Sequence, residues 1–204
     1  ELLYKKYLTE KYIVFFKATD DCIGLKVVVY GRDREDLFAD ILGYFQHRGF
    51  GVLEAKLNTT NHGYVLDTFL IDQTVMLNED ILRVQRACEY ELVQVLNNER
   101  EISVPEHSNK LSRRQKNFPL TPRIGLTPDE KEEFYILSIT STDNPGLLYK
   151  VAKILAFHKI SIHSAKISTL GEKVEDVFLV KKESLFTETE TIKIETELMR
   201  ELST

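Results

Sequence analysis

Apolar residues along the chain follow two rhythms, and the rhythms occur in the same order twice. Residues 26–31 and 134–141 are short runs rich in β-branched side chains, which predicts strands. Each is followed by apolar positions at helical spacing: Leu37, Phe38, Ile41, Leu42 and Phe45 in the first case, Leu147, Leu148, Val151, Ile154 and Leu155 in the second. One buried helix face is predicted over each. Two further strands follow in both places, 51–59 with 64–71 and 161–169 with 174–180, joined through Asn61-His62-Gly63 and Gly171-Glu172. Those residues suit hairpin turns. A second helix is expected over 79–97 and again over 187–202. The order β-α-β-β-α, with one closing strand, is the split βαβ or ferredoxin-like plan. The expected class is α+β: two ferredoxin-like βαββαβ domains, each with helices on one face of an antiparallel sheet.

The repetition extends to identities. At an offset of 110 residues Asp33 matches Asp143, Leu37 matches Leu147, and Ala55, Lys56 and Thr59 match Ala165, Lys166 and Thr169. One gap in a turn then brings Val65, Asp67, Phe69 and Leu70 onto Val174, Asp176, Phe178 and Leu179. Such a period is too long for a solenoid and indicates a duplicated domain. The expected units are 23–98 and 131–204. Residues 99–130 read as a linker, with Pro105, Pro119, Pro122 and Pro128 among Arg113, Arg114, Lys116 and Arg123. Within it, Arg123–Leu126 could add a strand, either closing the first unit or pairing with 134–141. Residues 1–22 read as the end of an upstream domain and a lead-in, because Leu2, Leu3, Tyr4, Tyr7 and Leu8 lie at helical spacing. The start at Glu1, with no charged-then-apolar leader, fits a piece of a longer protein. Domains this small bury only about 60–65% of their unfolded surface, and their sheets have open edges. Packing of the units on each other, or a homodimer, is therefore expected.

Composition narrows the classes. Hydrophobic residues make up 43% and charged residues 29% of the chain, an ordinary globular balance. A net charge of −5 argues against a nucleic-acid partner, since phosphate contacts need a basic face. No apolar run approaches the ~18 residues of a membrane span. Cys22 and Cys88 are far apart and form no C-x-x-C, which fits reduced thiols in a cytoplasmic protein.

Candidate chemistry is sparse. The chain carries no G-x-S-x-G, H-E-x-x-H or phosphate-binding G-x-x-x-x-G-K-[ST] run, and none of His47, His62, His107, His158 and His163 has a partner at metal-ligand spacing on a predicted helix. No catalytic residue, metal site or cofactor is expected. The stronger signal is Asp143-Asn144-Pro145-Gly146-Leu147-Leu148, between a strand and a helix. Asn144 suits an N-cap and Pro145 the first helical position. Gly146 permits close approach to the backbone. Free N–H groups at a helix start hold carboxylates, and Asp143 could receive an ammonium group. Together these would recognise an α-amino acid, with His163 and Ser164 expected as further polar contacts. In the first unit Asp33, Arg34, Glu35, Asp36 and Leu37 occupy the same place without Pro or Gly. Acidic side chains there would repel a ligand carboxylate, so Asp33, Asp36 and Leu37 form the weaker site.

These residues resemble a known family. The D-N-P-G-L-L loop, with S-A-K-I-S-T-L-G-E-K-V-E-D-V-F at 164–178, is similar to the second ACT domain of the bifunctional PII uridylyltransferase/uridylyl-removing enzymes. L-F-A-D-I-L, V-L-E-A-K-L-N-T-T and G-Y-V-L-D-T-F resemble their first ACT domain, and R-R-Q-K-N-F at 113–118 resembles their linker. The resemblance covers roughly residues 20–202. It implies a regulatory, glutamine-sensing ACT pair. The upstream catalytic domains of the same chain would attach uridylyl groups to the nitrogen-signalling protein PII and remove them, using a magnesium-dependent nucleotidyltransferase and a hydrolase. Neither catalytic signature stands in these residues. The loss of Pro and Gly from the first loop departs from the family pattern and puts a glutamine site there in doubt. Other readings are an ACT pair of another amino-acid regulator, an ACT pair serving only for oligomerisation, and an isolated enzyme with an unrecognised site.

Overall fold

A computed structural model of the chain describes residues 11–19, 24–60, 62–72, 81–98, 121–131, 133–142, 146–170, 173–181 and 186–203. The chain divides into two compact units, with the boundary between residues 105 and 106. The first contains β1 (Tyr12–Ala18), β2 (Gly24–Arg32), α1 (Leu37–Arg48), β3 (Val52–Lys56), β4 (Tyr64–Asp72) and α2 (Ile81–Leu96). The second contains β5 (Arg123–Pro128), β6 (Tyr135–Thr142), α3 (Leu147–Phe157), β7 (Ser161–Lys166), β8 (Thr169–Leu170), β9 (Lys173–Lys181) and α4 (Glu188–Leu202).

Both sheets are antiparallel, in the order β1-β2-β4-β3 and β5-β6-β9-β7. This is the ferredoxin-like arrangement, with one difference from the βαββαβ expectation. The strand beside the first strand of the βαββα core comes from the N-terminal side in each unit, as β1 and as β5. Tyr12–Ala18 lies within residues 1–22, so the first sheet begins ahead of residue 23. The reason is chemical: Tyr12, Ile13, Val14 and Phe16 are almost fully buried, which a lead-in would leave wet. Arg123–Pro128 pairs with β6 and not with the first sheet. The N-terminal Leu2, Leu3, Tyr4, Tyr7 and Leu8, Cys22 and most of the proline-rich linker lie outside the described residues.

The cores follow from alternation. On β2, Leu25, Val27 and Val29 are buried while Lys26 is exposed; on β9, Val174, Phe178 and Val180 are buried while Glu175 and Val177 are exposed. The inward faces meet Ile41, Leu42 and Phe45 of α1 with Leu92 and Leu96 of α2, or Val151 and Leu155 of α3 with Ile194 and Leu198 of α4. A bulge falls at the same place in both hairpins, between Val52 and Glu54 and between Ile162 and Ser164. The second helix also protects the sheet edge twice: the Phe16 amide donates to Glu89 at 3.0 Å and the Leu126 amide to Glu195 at 2.8 Å. Each carboxylate satisfies an edge-strand N–H that would otherwise be open to pairing. Across the helices, Arg48 faces Glu91 at 3.8 Å, and His158 faces Glu197 at 2.8 Å.

Candidate functional site

Each unit sends its chain from the end of a central strand into a helix, and the base of the neighbouring hairpin lies beside that departure. Arg32 pairs with Tyr64, and Thr142 pairs with Lys173, which in turn pairs with Leu170. In the first unit the Asp33 amide donates to the Gly63 carbonyl at 2.9 Å. Asp143, Asn144 and Pro145 of the second loop lie outside the described residues.

The helix starts differ from the sequence expectation. α3 begins at Leu147, with Gly146 at φ 81 immediately before it, so neither Asn144 as cap nor Pro145 as first helical residue describes the turn. The chain enters the helix through a left-handed residue, which glycine adopts without the steric cost of a Cβ. The same conformation recurs at Asp36, φ 61. The first intrahelical bonds are equivalent: Lys150 amide to Gly146 carbonyl at 3.0 Å, and Asp40 amide to Asp36 carbonyl at 2.8 Å. Glu35 and Asp36 therefore stand ahead of the first turn, and its acidic residue is Asp40. Among the described residues no side chain caps either helix, and the first turn of α3 holds no acidic residue. Leu147 is buried and Leu148 half-buried.

The surroundings of the two starts contrast. In the first unit the Leu37 amide donates to the Arg34 carbonyl at 3.3 Å. Arg34 binds Asp40 at 2.7 Å and the Leu96 carbonyl at 3.3 Å. Tyr12 donates to the Arg32 carbonyl at 2.9 Å, and its phenol lies beside the Arg34 guanidinium. Burial pushes that phenol's pKa up. The Tyr12 ring lies so close over Gly31 that a Cβ there would collide with it and stand 2.9 Å from the Lys11 carbonyl oxygen. In the second unit the residue equivalent to Gly31 is Ser141, 1% exposed, whose hydroxyl has no hydrogen-bond partner among the described residues. The first start thus has the chain's own aromatic and ionic groups beside it, and the second has Ser141 where the first has Gly31.

A pair of buried carboxylates stands at the same end of the sheets. Asp67 on β4 is 4% exposed and Asp176 on β9 is 1% exposed. Asp67 accepts from the Asn58 amide at 3.1 Å and Asp176 from the Ser168 amide at 3.2 Å. Burial, against the Asn58 hydrogen bond and aided by nearby Asp33, raises the Asp67 carboxyl to about 7. Burial also raises Asp33, against a hydrogen bond from the Arg34 backbone. Sequence reasoning matched the two aspartates as repeat positions without giving them a role. The signal was an acidic residue at a core position of a strand, V-x-D-x-F in both units.

The structure does not bring every expected residue together within one unit. Ser164 lies level with Ile136 through Leu179, six residues from Thr142, or about 20 Å at the rise of a strand. His163 sits at the bulge and stacks on Phe134, with ring centroids 4.8 Å apart. Both are remote from Gly146 of the same unit. Among the described residues no group of three His, Cys, Asp or Glu is placed to hold a metal ion, and no helix is long and apolar enough to cross a membrane. Cys88 is a buried free thiol.

No family model matches the chain. It is 40% identical over 202 residues to a bifunctional uridylyltransferase/uridylyl-removing enzyme of Burkholderia thailandensis, covering 99% of this chain and 23% of the relative. It is 41% identical over 206 residues to the enzyme of the same name from Burkholderia orbicola, again covering 99% and 23%. A solved structure of aspartate kinase from Synechocystis aligns over 88% of this chain and 27% of its own, with 16% identity and a TM-score of 0.46. By sequence, then, the chain is related to the bifunctional uridylyltransferase/uridylyl-removing enzymes and spans 23% of their length.

Proposed function

We propose that this chain is the regulatory ACT pair of a PII uridylyltransferase/uridylyl-removing enzyme, and that it senses glutamine at the start of α3. The reading places catalysis in upstream domains of the same protein, with PII as the substrate those domains act on. One observation carries the choice of site: the two helix starts share a backbone conformation but not their surroundings. At Gly146, among the described residues, no side-chain cap and no first-turn carboxylate competes for the backbone N–H groups. At Asp36 the Leu37 amide is already engaged, and Arg34, Asp40 and Tyr12 surround the turn. An α-amino acid would place its carboxylate on the N–H groups of Leu147 and Leu148, where the helix dipole favours an anion. Asp143 would receive its ammonium group. Since His163 and Ser164 lie far from this turn within the unit, a contact from them would have to come from a second copy of the chain.

Titration calorimetry of the 204-residue chain with glutamine tests the reading, with glutamate and asparagine as comparisons. Saturable glutamine binding is expected, weakened about tenfold or more by Asp143→Ala, which removes a charge-assisted hydrogen bond. Absence of saturable binding would leave a pairing module. Normal binding by Asp143→Ala, together with its loss in Asp36→Ala, would move the site to the first unit.

A further inference from the structure

We infer that Asp176 is a positioning residue for the amino-acid site, fixing the β7–β9 connection beside the turn into α3, and that Asp67 is its counterpart in the first unit. The inference rests on the proposed ligand site at Gly146. A carboxylate at a core position of a central strand is costly to bury unless it is bound. The chain keeps one at the same position in both units, although the residues on either side of it on that face, Val65 and Phe69 or Val174 and Phe178, are apolar. In both units it holds the same object. Asn58 donates its amide to Asp67 while its carbonyl accepts from the Leu66 amide at 2.8 Å. Ser168 donates to Asp176 while its carbonyl accepts from the Glu175 amide at 2.9 Å. The connection is thus pinned from both sides just before the hairpin turns.

That pinned segment reaches the end of the strand from which the chain leaves for α3. Thr169 and Leu170 pair with Val174 and Lys173 of β9, and Lys173 is the partner of Thr142, the last residue of β6. In the first unit the link is explicit, because the Asp33 amide bonds the Gly63 carbonyl of the same hairpin. A hairpin released from its aspartate would no longer hold the end of the strand from which the turn departs. Asp176 would then act on affinity without touching the ligand.

The test compares Asp176→Leu, Asp176→Asn and Asp67→Leu in the 204-residue chain by thermal unfolding, glutamine calorimetry and amide hydrogen exchange. Asp176→Leu is expected to weaken glutamine binding about tenfold or more, since a hydrogen bond to a charged group is lost. Asp176→Asn, whose amide oxygen still accepts from Ser168, should stay within about threefold of the unmodified chain. Asp67→Leu removes an equally buried carboxylate from the other unit and should leave affinity unchanged whatever it does to the melting temperature. Equal loss of affinity in Asp67→Leu and Asp176→Leu, or normal binding by Asp176→Leu, would overturn the inference. If Asp176→Leu does not fold, Asp176→Ala replaces it. If the unmodified chain binds no glutamine, the proposed ligand is wrong and exchange decides the inference alone. Faster exchange at Ser168 and also at Leu147–Tyr149 is expected; acceleration confined to Ser168 would refute it.

Discussion

Replacing Asp67 by asparagine should change the pH dependence of folding more than folding itself. The Asp67 carboxyl is 4% exposed, and burial raises its pKa from 3.8 to about 7. The folded chain therefore holds a proton that the unfolded chain releases, and stability falls as pH rises through that window. At about 1.4 kcal/mol per pH unit, the full interval amounts to ~4 kcal/mol. The contribution is complete below 3.8, lost progressively up to about 7, and level beyond. Asparagine has nearly the same shape, keeps an oxygen for the Asn58 amide, and does not titrate. At pH 5, where Asp67 is protonated when folded, the variant should lie close to the unmodified chain. At pH 8 it should be the more stable of the two by roughly 2–3 kcal/mol, the part of the interval above pH 5, because it avoids burying a charge. Urea unfolding of both proteins between pH 5 and 8 measures the difference and cancels the groups common to both. A difference that does not vary with pH would refute the assignment of the titrating group.

The remaining predictions concern turns, edges and caps. Each unit places glycine where the other carries a side chain at positive φ: Gly146 against Asp36 and Gly49 against Lys159. Asp36→Gly and Lys159→Gly should each stabilise by roughly 0.5–1 kcal/mol, and Gly146→Ala should destabilise by about 1–2 kcal/mol, measured by thermal unfolding. Glu195→Ala should cost ~1.5–3 kcal/mol by leaving the Leu126 amide without its charged acceptor, and should raise aggregation measured by light scattering. Thr187→Ala should cost ~1 kcal/mol, since Thr187 and Glu190 form a reciprocal capping box at the start of α4; circular dichroism melting measures it.

Much of the fold was legible because the core is written as alternation and as helical spacing in both units. β2, β4, β6 and β9 fall on the expected runs, and the helices begin and end within two residues of expectation where their ends were predicted. The closing strands were harder to read. β5 carries Arg123, Gly125 and Pro128, with only Leu126 buried, so an edge strand covered on one face leaves a weak pattern. β1 has the opposite difficulty: Y-I-V-F-F is apolar on both faces and gives no period. At the site, Asn144-Pro145 suggests a helix start on chemical grounds, but the turn is governed by backbone handedness at Gly146. That handedness is invisible in the first unit, where Asp36 takes the same conformation. Tyr12 over Gly31 joins residues far apart in sequence, which no local pattern reports. The buried aspartates were visible as charges at core positions, and their role depended on the amides of Asn58 and Ser168 across the hairpin.

The central claim, that an α-amino acid binds at the start of α3 and not at the start of α1, is tested most directly by amide spectra of the ¹⁵N-labelled chain titrated with glutamine. Saturable shifts at Gly146, Leu147, Leu148 and Tyr149, with Asp36–Asp40 unmoved, are the predicted result. Shifts at Asp36–Asp40 with Gly146–Tyr149 unmoved, or no saturable shift in either turn, would contradict it.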